Sequence, residues 1–85
     1  MKVKYVGESF GVDGLTNGQD YDCLGVEGNF LRVIDDSGED YLYPINDPAA
    51  MSGKRGKWII VTDSADGALR IALYKFAKSK ISYAV

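Results

Sequence analysis

The residues that could do chemistry are few. The chain contains no histidine and one cysteine, Cys23, so the commonest general base and transition-metal ligand is missing. Catalysis would fall to carboxylates, lysines, tyrosines or Cys23. Strand alternation places Cys23 beside Tyr21 with no base to activate it, and a free cysteine of this kind reads as a buried structural thiol. The acidic run Asp35-Asp36-Ser37-Gly38-Glu39-Asp40 invites a calcium reading. A calcium loop of the EF-hand type needs a glutamate at its twelfth position, and counting from Asp35 that position is Asn46. Asp, Ser and Gly are also what a hairpin turn needs for backbone reasons. Gly53-Lys54-Arg55-Gly56-Lys57 echoes a phosphate loop, but Lys54 and Arg55 alone separate its glycines and Trp58 follows Lys57. A Walker loop requires four residues between its glycines, a Ser or Thr after the lysine and a helix beyond. No catalytic residue, metal ligand or cofactor is assigned.

Two surfaces carry binding expectations. The first is Lys54, Arg55 and Lys57 beside Trp58, with Tyr41 and Tyr43 as further aromatics. Cations next to exposed rings attract phosphates and stack bases, which is how small barrels hold nucleic acid. The second lies on the C-terminal helix, where Ile71 and Tyr74 form an apolar pair away from the main stripe, a pattern typical of a protein or self-association interface. Lys75, Lys78 and Lys80 give that helix a basic end, but its place in the core argues against lying on a membrane.

The net charge of −2 hides a polarity. Residues 1–50 carry three cations and ten carboxylates, a net −7, whereas residues 51–85 carry seven cations and two carboxylates, a net +5. The acidic half repels a polyanion, so the expectation is that the two halves attract each other within one fold. Protein partners or self-association therefore lead, and nucleic acid is the alternative.

These groups must be positioned by a single domain of 85 residues, large enough to bury roughly 60–65% of its unfolded surface. With 46% hydrophobic and 26% charged residues it reads as globular. Its ten glycines against two prolines suit short strands joined by tight turns. One cysteine permits no intramolecular disulfide, and the start Met1-Lys2-Val3-Lys4-Tyr5-Val6 has no apolar signal segment. The expected location is the cytoplasm.

Alternation predicts strands over Lys2–Val6, with Val3 and Tyr5 inward, then Gln19–Val26, Phe30–Asp35 and Glu39–Ile45. Gly7–Gly18 reads as a long irregular loop anchored by Phe10, Val12 and Leu15. Large apolar groups on both faces of the third and fourth strands predict a sheet buried on both sides or curled into a small barrel. Residues 1–45 thus form a hairpin core, 46–57 a basic mobile loop, and 58–62 a further strand. A helix is expected over 64–80, with Asp63 as N-cap and Asp66 in the acidic place of a capping box. Leu69, Ala72, Leu73 and Phe76 form its buried stripe. Gly67, in its first turn, should cost about 1 kcal/mol relative to Ala. The tail Ile81–Val85 either adds a strand or frays.

The runs Asn17-Gly18-Gln19-Asp20-Tyr21-Asp22-Cys23-Leu24 and Phe30-Leu31-Arg32-Val33-Ile34-Asp35-Asp36-Ser37-Gly38-Glu39-Asp40-Tyr41-Leu42-Tyr43-Pro44 resemble a family of small uncharacterised proteins. These occur in Gram-positive bacteria and their mobile elements and have a fold similar to an SH3-like barrel. The resemblance covers the first half of the chain. It implies a mainly β fold, a small, partly open SH3-like barrel of about five strands, to which the basic loop, the Trp58 strand and the C-terminal α-helix are additions. It brings no assigned activity. Peptide-binding SH3 domains carry an Ala-Leu-Tyr-Asp-Tyr-like segment and paired tryptophans that this chain lacks.

Overall fold

A computed structural model describes residues 1–77. The fold is mainly β: five antiparallel strands in one sheet, followed by one helix. The strands are β1 (Lys2–Gly7), β2 (Asp20–Glu27), β3 (Phe30–Ile34), β4 (Asp40–Pro44) and β5 (Gly56–Thr62), with a 3₁₀ turn at Ala50–Ser52 before β5. Their spatial order is β4-β3-β2-β1-β5. The helix, α1, spans Ala68–Phe76. Residues 78–80, the end of the expected helix, and the tail at 81–85 lie outside the described residues.

Period-2 alternation builds the core. Val3 and Tyr5 of β1, Tyr21 and Cys23 of β2, Leu31 and Val33 of β3, and Trp58 and Ile60 of β5 all point inward and are buried. Leu69, Ala72 and Leu73 of α1 close over them. β2 is the hinge of the sheet. Its first part, Asp20–Asp22, pairs with β1. Its second part, from Cys23 onward, pairs with β3, and the register shifts between Cys23 and Gly25. The extra residue in that bulge is Leu24, which turns outward and is exposed; a bulge bends its strand and sharpens the twist. Two-sided burial of β3 and β4 is therefore not what forms. Leu31 and Val33 are buried while Leu42, on the opposite face, is exposed, because the core packs against one face of these strands.

Two other expectations change. The Gly7–Gly18 loop is hairpin-like: Phe10 and Leu15 exchange both backbone hydrogen bonds, at 3.0 and 3.2 Å. Val12 sits in the turn between them and is 97% exposed, so it anchors nothing. The segment expected as a mobile loop at 46–57 is folded by its own backbone. The Ala50 amide donates to Asp47 O, those of Ser52 and Lys54 donate to Ala49 O, and the Asp47 side chain receives the Gly56 amide at 3.0 Å. β5 accordingly starts at Gly56, two residues before the expected strand.

The helix starts later than expected. Gly67 has φ +74°, a left-handed conformation just outside the helix, so it is no longer a weak helical residue. Asp63 still serves the helix end from a distance: its carboxylate receives the amides of Leu69 at 2.8 Å and Arg70 at 3.0 Å. The capping box does not form, because Asp66 receives the Ser64 hydroxyl instead. No helix among the described residues is long and apolar enough to cross a membrane.

Candidate functional site

The acidic hairpin between β3 and β4 is a closed hydrogen-bond network. Asp35 is buried, and its Oδ2 receives the Tyr43 hydroxyl at 2.7 Å. Its Oδ1 receives the amide and hydroxyl of Ser37. Asp36 receives the Thr16 hydroxyl on Oδ2 and the Tyr21 hydroxyl on Oδ1, both at 2.8 Å, and the Thr16 amide in turn donates to the Tyr21 oxygen. Burial, reinforced by the bond to Asp35, raises the Tyr43 phenol well above its ordinary value. Asp40 is also engaged. Arg32 on β3 donates to Asp40 on β4 and to Glu27 on β2, tying the three strands together on the outer face. These carboxylates are thus held by donors from hydroxyls, amides and the Arg32 guanidinium. Among the described residues no group of three potential metal ligands comes together.

Beside this network lies an open depression of about 630 Å³, lined by Gly11, Asp13 and Gly14 on one side and by Asp35, Ser37, Glu39, Tyr41, Leu42 and Tyr43 on the other. Tyr41 and Leu42 are partly open to solvent, and Val12 stands at the turn tip. Asp13 and Glu39 belong to this lining, and neither forms an ion pair among the described residues. The floor is rigid. Tyr43 packs edge-on against Phe10 and Trp58, and Tyr5 packs edge-on against the same two rings, closing a four-ring cluster with centroid separations of 5.8–6.3 Å.

The expected nucleic-acid surface does not assemble. Lys54, Arg55 and Lys57 are exposed, but Trp58 is only 3% exposed and its indole N–H donates to the Pro44 carbonyl at 3.2 Å. The reason is positional: Trp58 pairs with the inward-facing Tyr5 across β1 and β5. Tyr41 and Tyr43 donate their hydroxyls to Glu39 and Asp35, so they belong to the acidic depression and not to the cations. On the helix, Ile71 and Tyr74 are 57% and 78% exposed.

The β4 edge is less open than its position suggests. In the β3–β4 ladder Asp35 bonds to Glu39 and Ile45 to Asn29, so Tyr41 and Tyr43 face β3 while Asp40, Leu42 and Pro44 point their backbone outward. Pro44 has no N–H and its carbonyl is taken by Trp58, so among the described residues only Asp40 and Leu42 leave backbone groups unpaired along that edge. Such a blunted edge resists strand addition.

Cys23 is buried, and its thiol donates to Gly25 O at 3.5 Å. Burial raises its pKa above the ordinary thiol value, the opposite of what a nucleophile needs. The sequence reading had missed Val12, Asp13, Leu42 and Met51 as surface residues. Glycines flanking Val12-Asp13 and the outward phase of Leu42 were the available signals. No protein-family model matches the chain, and comparison with curated proteins and with solved structures finds no match.

Proposed function

We propose that this chain is a non-enzymatic interaction module, a small SH3-like barrel that binds a protein partner or a second copy of itself. What supports the barrel reading is the bulged β2, shared between β1 and β3, and a single core fed by strands of the whole sheet. The observation that carries the function is the open depression lined by Tyr41, Tyr43 and Leu42 and flanked by Asp13 and Glu39, its Tyr43 wall fixed in the aromatic cluster. Exposed apolar groups clustered on ordered strands mark an interface more often than a catalytic centre. A single buried thiol suits a reducing cytoplasm.

Nucleic-acid binding through Lys54, Arg55 and Lys57 ranks below this reading, since Trp58 is unavailable for stacking. Light scattering across a concentration series, with pull-downs comparing wild type and a Tyr41→Lys/Leu42→Lys variant, tests the proposal. Concentration-dependent mass, or a partner retained by wild type and lost by the variant, is the expected result. A strictly monomeric protein with no partner that depends on these side chains sinks it.

A further inference from the structure

Resting on the interaction-module reading, we infer that the occupant of the depression is the Met51–Arg55 protrusion of a second copy of this chain, the run of five exposed residues that precedes β5. The two surfaces are complementary in both charge and hydropathy. The protrusion carries Met51, 86% exposed at the 3₁₀ turn, followed by exposed Lys54 and Arg55, with exposed Lys57 next to them on β5. The depression offers the exposed Tyr41 ring as its apolar contact, with Leu42 at its rim and Asp13 and Glu39 beside it.

Among the described residues neither surface is drawn into an ion pair. The four ion pairs among the described residues use Lys2, Lys4 and Arg32 on the cationic side, and none uses Lys54, Arg55 or Lys57. The protrusion is also tethered where it stands. The Arg55 amide donates to the Glu8 carboxylate at 2.9 Å and the Gly56 amide to Asp47 at 3.0 Å, which fixes its base and leaves its side chains presented outward. A second copy supplies the missing partner for both surfaces at once. Met51 packs against Tyr41, while Lys54 and Arg55 meet Glu39 and Asp13. Contacts of this kind are driven by modest apolar burial and steered by charge, so they weaken as salt screens them.

The test uses two charge reversals at exposed positions. One variant, Lys54→Glu/Arg55→Glu, spoils the protrusion and keeps the depression; the other, Asp13→Lys/Glu39→Lys, does the reverse. A helix-face variant, Ile71→Glu/Tyr74→Glu, serves as the control, and thermal melts verify that each variant folds. Sedimentation velocity at low salt should show wild type self-associating, with dissociation at about 0.5 M salt, where the screening length falls to a few ångströms. Each reversal should weaken association by about tenfold or more. An equimolar mixture of the two reversals should recover a 1:1 dimer, because one intact protrusion and one intact depression remain.

A wild type that stays monomeric at low salt overturns the inference. So does association that survives both reversals, or that is abolished only by the helix-face variant. A mixture that fails to associate when each folded parent has lost self-association also overturns it. A monomer that still captures a partner dependent on Tyr41 and Leu42 would sink this inference and leave the interaction-module reading standing.

Discussion

Gly56 shows how closely single residues are constrained. A Cβ there would lie 2.4 Å from the Tyr5 ring, and that ring cannot simply withdraw. Its hydroxyl donates to Glu8 O at 2.6 Å and its ring packs in T-shaped contact with Phe10 and Trp58. Gly56→Ala is expected to lower stability by about 1–3 kcal/mol, the usual range for overpacking, measured as a shift in the urea midpoint with unchanged slope. Cys23 gives a second expectation at this scale. Burial and a raised pKa keep the thiolate fraction low, so a thiol reagent at pH 8 should label the native protein slowly and the urea-unfolded protein at once. Rapid labelling of the folded chain would contradict the assignment of Cys23 to the core.

Among the elements, α1 is the one whose boundary conditions the fold rearranges. Burial raises the Asp63 carboxyl, but the amides of Leu69, Arg70 and Ser64 outweigh it and hold the group below its ordinary value. A carboxylate depressed in this way contributes stability above its unfolded pKa of about 3.9, and that contribution is lost as pH falls through the folded value. Asp63→Asn should therefore cost about 1 kcal/mol near neutral pH, with the gap to wild type narrowing in acid; a gap that is constant from pH 7 to pH 3 would rule out the ionised cap. Gly67 reverses the sign expected from helix propensity. At φ +74° an alanine meets the left-handed penalty of about 1–2 kcal/mol, so Gly67→Ala should lower the melting temperature. Had Gly67 been helical, the same substitution would have raised it.

At the scale of the whole molecule, one tryptophan makes a clean reporter. Trp58 is enclosed by Tyr5, Tyr43 and the Pro44 carbonyl. Its emission should be blue-shifted and poorly quenched by acrylamide, and adding single-stranded DNA should leave it unchanged. Strong quenching by DNA would restore the stacking role that burial removes.

What the residues determined alone is the local grammar. Alternation placed Val3, Tyr5, Tyr21 and Cys23 on buried faces, Asp36-Ser37-Gly38 made a hairpin turn, and the spacing of Leu69, Ala72 and Leu73 defined the packed side of a helix. These signals depend only on neighbours a few residues away, which the chain order itself supplies. What the tertiary structure decided depends on residues far apart in sequence. Trp58 became core because β5 pairs with β1. Tyr43 joined Asp35, and Tyr21 joined Asp36 fifteen residues on, because strand pairing brings the Asp35 hairpin beside them. Leu24 turned outward at a bulge created by a change of partner strand. The few chemically suggestive residues were visible from the start, but which of them share a surface was set by strand pairing, since only pairing brings distant side chains within reach of one another.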